Sequence, residues 1–133
     1  TIMDAILDLT VSQCAICTSH NSYLTGSQVG FGNNGSADGI RDALTKNARM
    51  VELDVTGKDG VPMVCHPIST PMGAIPCTNP ITAEECLDVI AEDAFSRTDL
   101  PLFLCIQKET DDKEALKALG EMISTRFGSR LLN

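Results

Sequence analysis

The hydrophobic and polar positions of this chain form short apolar runs that alternate with longer amphipathic stretches. Short apolar runs bounded by turn residues are typical of buried strands, and they predict four strands, at residues 13–18, 50–55, 62–65 and 100–106. The run at 100–106 is apolar throughout, which predicts a strand that is buried on both faces. Asp59-Gly60 marks a tight turn, so the third strand is either a separate strand or the hairpin partner of the second.

Helical spacing of apolar residues occupies the stretches between these runs. It predicts helices over residues 3–9, after a cap at Ser36, after the capping box Thr82–Glu85, and from Asp111 onward. Residues 25–36 are rich in Gly, Ser and Asn, and residues 67–80 contain four prolines, so both predict long loops. The alternation predicts an α/β fold with a largely parallel sheet of about four strands, which is half of an eight-stranded barrel.

Composition narrows the class of protein. A length of 133 residues allows one modest domain or a segment of a larger protein. The net charge of -8 argues against nucleic-acid binding, and no apolar run approaches the ~18 residues of a membrane-spanning helix. The opening residues have neither the basic start nor the cleavage site of a secretory signal.

The six cysteines leave the redox compartment open. Three of them lie in strand-like apolar runs, where a free cysteine acts as a small hydrophobic residue. Cys14 and Cys17 have the spacing of half a zinc site, but alternation along a strand explains it, and no second pair has ligand spacing. Cys77 and Cys86 flank a loop and a helix start and could form a disulfide.

Polar residues suited to phosphate chemistry occur at or near the ends of three predicted strands. His20 and Asn21 follow the first strand, Glu52 and Asp54 share one side of the second, and His66 ends the third. Their apolar neighbours in the second strand must pack against the helices outside the sheet. The two carboxylates therefore face the interior of the barrel, where buried charge requires a partner. Ca²⁺ or Mg²⁺ fits two carboxylates and an amide oxygen, and a neutral histidine beside it suits acid–base work on a phosphate ester.

Several stretches of this sequence occur together in one known family. They are Ser-His-Asn-Ser-Tyr-Leu-Thr-Gly from Ser19, Val51-Glu52-Leu53-Asp54, Asp59-Gly60-x-Pro62-x-Val64-x-His66, and Pro101-Leu102-x-Leu104. They closely resemble the X region of phosphoinositide-specific phospholipase C, over residues 14–132. The resemblance implies that residues 1–133 form the N-terminal half of a TIM-like (β/α) barrel. It also implies a metal-assisted phosphodiesterase that releases diacylglycerol and inositol phosphate from phosphatidylinositol lipids.

The resemblance also implies roles for single residues. His20 is expected to stabilise the pentavalent phosphorane that forms when the inositol 2-hydroxyl attacks phosphorus. Asn21, Glu52 and Asp54 are expected to bind Ca²⁺, with Mg²⁺ as the alternative. His66 is expected to be the general acid that protonates the diacylglycerol leaving group, after which the cyclic phosphate is hydrolysed.

The sequence departs from this family after its fourth strand. The family has Leu-Glu-Asn-His there, and this chain has Ile106-Gln107-Lys108-Glu109. Gln107 therefore takes the place of a calcium ligand and candidate base, which predicts weaker calcium binding because an amide brings no charge. Lys108 is expected to bind substrate, and Glu109 can replace the lost acid only if the strand end shifts.

The resemblance implies two partners that this stretch of sequence does not itself contain. One is the second half of the barrel, from the same chain or another, which supplies basic and aromatic groups in the family. The other is a phosphoinositide lipid at a membrane surface. The expected location is therefore cytoplasmic with peripheral attachment to a membrane, and nucleic acid is not an expected partner.

Two other functions compete with this one. Glycerophosphodiester phosphodiesterases fit Glu52–Val55 and Lys58–His66 about as well, but their first histidine is usually followed by Arg-Gly and His20 is followed by Asn-Ser. A degenerate, non-catalytic domain that binds lipid or protein is the second alternative, because Gln107 is neutral and the chain is short.

Overall fold

The computed structural model describes residues 2–29 and 32–132, so the loop expected at 25–36 is described except for residues 30 and 31. Residues 1 and 133 of the expected domain also lie outside the described residues. The helices are α1 (Ile2–Leu7), α2 (Asp38–Thr45), α3 (Ala83–Asp93) and α4 (Lys113–Phe127). The strands are β1 (Met50–Lys58), β2 (Val61–Val64), β3 (Pro67–Thr70), β4 (Gly73–Pro76), β5 (Ile81–Thr82) and β6 (Phe103–Lys108).

The main sheet is mixed, with the strand order β5-β2-β1-β6. Only β1 and β6 form a parallel ladder, and β2 pairs antiparallel with both β1 and β5. The turn after β1 has positive φ angles of 51° at Asp59 and 79° at Gly60, as a two-residue hairpin turn requires. This turn makes β2 the hairpin partner of β1, so the expectation of a largely parallel sheet is wrong for the described strands.

The strand predicted at residues 13–18 does not form a ladder. Residues 11–13 instead make a 3-10 turn, in which the Gln13 side chain accepts a hydrogen bond of 2.9 Å from the Thr10 amide. The end of the segment still runs parallel to β1, through a single bridge between Thr18 and Met50. The amide of Ser19 donates to the Met50 carbonyl at 2.8 Å, so the next residues continue alongside β1.

Alternation along β1 determines which side chains face the helices. Val51, Leu53 and Val55 are fully buried and belong to one core cluster with Leu87 of α3 and Leu119 of α4. Burying an aliphatic side chain of this size contributes about 1.5–3 kcal/mol. The two acidic residues between them therefore project from the opposite face of the sheet.

The apolar run that ends in β6 is not buried on both faces, so that prediction is wrong. Leu104 and Ile106 are half-buried against the helical core, whereas Phe103 is 39% exposed and Cys105 is exposed. In the described part of the chain no strand pairs with the outer edge of β6. The edge of β6 is therefore open to a further strand, and its second face has no packing layer among the described residues.

The proline-containing loop includes a small antiparallel hairpin, β3–β4, that follows His66 directly. Pro67 and Pro76 pair at its open end. Proline is tolerated there because this two-stranded ribbon has free edges that need no amide donor. Sequence periodicity did not predict this hairpin.

The helix starts follow their sequence signals closely. Thr82 Oγ1 accepts from the Glu85 amide at 3.1 Å and Glu85 Oε2 accepts from the Thr82 amide at 2.9 Å, which confirms the capping box. Helix α4 is capped by Asp112, one residue after the predicted Asp111. No helix among the described residues is long and apolar enough to cross a membrane.

Candidate active site

The turn that carries His20 and Asn21 is fastened to the middle of β1. The Ser22 amide donates to the Glu52 carbonyl at 3.1 Å, and Ser22 Oγ accepts from the Glu52 amide at 3.0 Å. The same hydroxyl donates to the Ser19 carbonyl at 3.0 Å, which closes the turn. Asn21 has a φ of 47°, a left-handed conformation that asparagine tolerates better than most residues. These bonds bring the Asn21 side chain over β1.

The Asn21 side-chain amide meets two carboxylate oxygens beside this turn. The Asn21 amide oxygen lies 3.1 Å from Glu52 Oε2 and 3.1 Å from Asp54 Oδ2, and all three residues are buried. None of these oxygens carries a proton when the carboxylates are ionised, so the arrangement requires a 180° rotation of the amide or a cation between them. Oxygens at this spacing can share one hard cation at the 2.3–2.6 Å typical of Ca²⁺. The three residues therefore fit the cation expected from the sequence.

Asp54 is also contacted by an aromatic hydroxyl and an imidazole. Tyr23 is fully buried, and its hydroxyl donates to Asp54 Oδ2 at 2.5 Å. Burial and this hydrogen bond raise the pKa of Tyr23, so the hydroxyl remains a donor throughout the physiological range. His66 Nδ1 lies 3.4 Å from the same carboxylate oxygen and 3.3 Å from Asn21 Nδ2. One ring nitrogen of His66 is therefore turned toward the oxygen cluster.

Two neighbouring buried carboxylates cost energy while no cation is present. Burial raises the pKa of Glu52, and the nearby charge of Asp54 raises it further. The backbone N–H of Asn21, which donates to Glu52 Oε2 at 2.8 Å, lowers the pKa of Glu52, as does the charge of His20. Ionised Glu52 is thus disfavoured in the folded state, which is the electrostatic condition that a bound cation relieves.

Of the two histidines of the chain, His66 contacts the cluster and His20 directly precedes Asn21 in the sequence. The His66 amide donates to Thr78 Oγ1 at 3.1 Å and its carbonyl accepts from the Cys77 amide at 2.7 Å, so its backbone is held on both sides. The His66 side chain is 26% exposed, which leaves it accessible to a ligand. His20 is exposed and immediately precedes Asn21.

Gln107 and Lys108, the two site residues predicted at the end of β6, project from opposite faces of the sheet. Gln107 is the direct neighbour of Asp54 in the parallel ladder, so the two project from the same face of the sheet. The Gln107 amide nitrogen donates to Glu109 Oε1 at 2.5 Å. Lys108 points to the other face and pairs with Asp111 at 2.7 Å. The structure therefore does not bring Lys108 to the cluster.

The described residues contain no group of three or more His, Cys, Asp or Glu side chains that could hold a metal. A cation at this cluster would thus depend on amide oxygens as well as on its two carboxylates. All six cysteines are free thiols, including Cys77 and Cys86, both of which are buried. Burial raises the pKa of the Cys86 thiol to about 12, so it behaves as a core residue.

Sequence reasoning missed four residues that position this site. Ser22 and Tyr23 follow the His-Asn pair directly, so their place in the motif was a signal that could have been used. Gln28 accepts from Asn21 Nδ2 at 2.5 Å, and Thr78 accepts from the His66 amide. Neither Gln28 nor Thr78 stands out in the sequence, because each contact depends on how a loop folds back.

A family model described as phosphatidylinositol-specific phospholipase C, X domain, matches residues 7–133. The chain belongs to this family. The X-domain match covers both histidines and every residue of the oxygen cluster.

Curated relatives of this X domain are much longer proteins. Phosphoinositide phospholipase C 7 of Arabidopsis thaliana is 33% identical over 128 residues, which is 94% of this chain and 20% of the relative. Human 1-phosphatidylinositol 4,5-bisphosphate phosphodiesterase beta-2 is 33% identical over 120 residues, which is 88% of this chain and 9% of the relative. The chain therefore spans a fifth or less of the length of these relatives.

Solved structures confirm the fold class. The crystal structure of L. pealei PLC21 matches with a TM-score of 0.79 and 29% identity, over 93% of this chain and 15% of that chain. A protein from Silicibacter pomeroyi, described as a glycerophosphoryl diester phosphodiesterase, matches with a TM-score of 0.54 over 84% of this chain and 54% of that chain. Its identity is 15%, so it supports the α/β barrel fold alone.

Proposed function

We propose that this X domain is the catalytic half-barrel of a phosphodiesterase that cleaves phosphatidylinositol lipids with calcium held by Asn21, Glu52 and Asp54. The observation that carries the proposal is the convergence of the Asn21 side-chain amide on the buried carboxylates of Glu52 and Asp54, with one amide atom 3.1 Å from an oxygen of each. A bound Ca²⁺ would neutralise developing charge on the phosphate oxygens and favour ionisation of the attacking hydroxyl. The names of the relatives, which specify phosphoinositide phospholipase C activity, support the substrate class.

His66 is the proposed general acid. Its Nδ1 lies 3.4 Å from Asp54 Oδ2, so the carboxylate orients the ring. This leaves Nε2 as the nitrogen that delivers a proton to the departing glycerol oxygen. The inositol 2-hydroxyl gives its proton to solvent and forms the new bond to phosphorus, and the bond from phosphorus to the glycerol oxygen breaks. The products are diacylglycerol and a cyclic inositol phosphate, which is then hydrolysed.

His20 is proposed to hold the charge that builds up on phosphorus oxygens. It is exposed beside Asn21, where an imidazole N–H can donate to a phosphate bound at the cluster. Gln107 is proposed as a further ligand, through its amide oxygen, because it shares a face with Asp54. Lys108 keeps no part in this proposal, since its ammonium group pairs with Asp111 on the other face.

Exposed apolar side chains near the histidines support a substrate at a lipid surface. Val29 is 63% exposed in the loop after the His20 turn, and Met72 is 97% exposed at the tip of the hairpin after His66. Ile68 and Ile75 of the same hairpin are partly exposed, at 37% and 43%. Apolar groups at these positions suit contact with a membrane, and we propose peripheral attachment to its cytoplasmic face.

The general-acid role has a specific test in the protein that carries this chain. His66→Gln is expected to abolish most hydrolysis of phosphatidylinositol, because the glycerol oxygen then leaves without a proton. With an aryl phosphoinositol, whose phenolate leaves unprotonated, the same variant is expected to regain most of its activity. Asp111→Asn, on the other face, is the matched control and should leave both activities unchanged. Equal losses on both substrates would show that His66 is not the general acid.

A non-catalytic binding domain is the second candidate, because Gln107 is neutral where the family has an acid. It predicts that the protein binds calcium and inositol phosphates without turnover. Hydrolysis assays on phosphatidylinositol and on glycerophosphocholine, with calorimetry for binding, separate the two candidates. Binding without cleavage of either substrate would support the non-catalytic function, and cleavage of glycerophosphocholine alone would contradict the proposed substrate.

A further inference from the structure

The contact between Gln107 and Glu109 determines how the Gln107 amide is turned. A carboxylate only accepts hydrogen bonds, so the amide atom that lies 2.5 Å from Glu109 Oε1 must be the nitrogen. The carbonyl oxygen of Gln107 is the other amide atom and is therefore directed away from Glu109. An amide can ligate a hard cation only through that oxygen.

The register of β6 places this pair on the side of the proposed calcium site. Gln107 lies beside Asp54 in the ladder, and the Glu109 amide extends the ladder by donating to the Val55 carbonyl at 2.8 Å. Alternation then puts Gln107 and Glu109 on the same face, with Lys108 on the other. Lys108 pairs with Asp111, and no Lys or Arg in the described part of the chain forms an ion pair with Glu109.

A neutral ligand needs this kind of support. Calcium affinity depends on the number of charged ligands, and Gln107 brings an oxygen without a charge. An amide that rotates freely also presents its nitrogen as often as its oxygen. An acceptor that holds the nitrogen keeps the oxygen turned toward the cation. Loss of a residue that hydrogen-bonds to a metal ligand typically lowers metal affinity by about 10–100-fold.

We propose that Glu109 is a positioning residue for calcium: it holds the Gln107 amide nitrogen so that the carbonyl oxygen faces the cation, and it supplies nearby the charge that Gln107 lacks. This inference rests on the proposed calcium site of Asn21, Glu52 and Asp54. It explains how the chain keeps an acid near this position although the acid is absent from the expected place in the sequence.

Calcium titration by calorimetry in the protein that carries this chain tests the proposal. Glu109→Gln is expected to weaken calcium binding by about tenfold, because the new amide neither fixes the orientation of Gln107 nor carries charge. Asp111→Asn removes a neighbouring carboxylate on the other face and should leave the affinity unchanged. The double variant Gln107→Glu/Glu109→Gln is expected to restore binding, because it puts the carboxylate directly beside Asp54.

The possible results separate this inference from the proposed function. If Glu109→Gln binds calcium as tightly as the wild type while Asp54→Asn loses binding, the role of Glu109 is refuted and the calcium site stands. If Asp54→Asn also binds calcium normally, the site itself is refuted, and the inference with it. Unfolding of each variant in chelator serves as the folding check, and a double variant that folds but stays weak also contradicts the proposal.

Discussion

Replacing Glu52 by Gln is expected to stabilise the calcium-free protein, although Glu52 is a proposed ligand. Glu52 Oε2 and Asp54 Oδ2 each lie 3.1 Å from the Asn21 amide oxygen, so they are at most 6.2 Å apart. At an effective dielectric constant of ~20, two unit charges at that separation repel by about 2.7 kcal/mol. The neutral Gln weakens the hydrogen bond from the backbone N–H of Asn21, which costs about 1 kcal/mol. The net stabilisation is about 1–2 kcal/mol.

The pH dependence has a definite sign. The pKa of Glu52 is raised above its ordinary value of 4.5, first by burial, so the folded state binds this proton more tightly than the unfolded state. Folding stability of the calcium-free wild type should therefore fall as the pH rises from about 4.5 through the raised pKa. Glu52→Gln has no such proton and should lack this part of the decline.

Urea unfolding with a chelator, from pH 4 to pH 8, measures both effects. Calcium should raise the midpoint of the wild type, because it binds only the folded state, and should leave Glu52→Gln nearly unchanged. Glu121→Gln is the matched control, since that side chain is 68% exposed and should shift stability by less than ~0.5 kcal/mol. A calcium-free Glu52→Gln protein that is less stable than the wild type at pH 7 would refute the electrostatic reasoning, and undiminished stabilisation by calcium would refute the ligand role.

Three further predictions concern the stability and assembly of the domain. Tyr23→Phe removes the donor to Asp54 and leaves no cavity, so the free energy of unfolding should fall by about 1.5–3 kcal/mol in urea titrations; an unchanged value would contradict this bond. Arg49→Lys should cost about 1–3 kcal/mol by the same measurement, because the guanidinium donates to three carbonyls that an ammonium cannot reach together, and full stability would show that these bonds are replaceable. Residues 1–133 expressed alone should self-associate at the open edge of β6 in size-exclusion chromatography and hydrolyse phosphatidylinositol negligibly, whereas an active monomer would contradict a second half-barrel as partner.

Features that depend on neighbouring residues were predictable from the sequence. The capping box of α3 needs only Thr82 and a glutamate three residues later, and the structure forms it. The alternation in β1 correctly turned its two carboxylates away from the helical core, because successive strand residues face opposite sides. The same rule also places Lys108 and Gln107 on opposite faces of β6, because the two residues are adjacent in one strand.

Features that depend on the rest of the sheet were not predictable in this way. An apolar run shows that β6 can be buried, but whether both of its faces are covered depends on what packs against each face, and only the face toward the helices is packed among the described residues. The segment at residues 13–18 has a strand-like sequence but forms a single bridge to β1, at Thr18, after a 3-10 turn that ends at residue 13.

The sequence alone determined which groups form the candidate site, and the tertiary structure determined how they are aimed. The His-Asn pair and the two carboxylates are short motifs, and their approach follows from strand ends meeting at one edge of a sheet. The direction of the Asn21 oxygen and the hydroxyl of Tyr23 depend on contacts across about thirty residues of chain. Such contacts form only after burial removes the competing hydrogen bonds to water, which is why no local pattern encodes them.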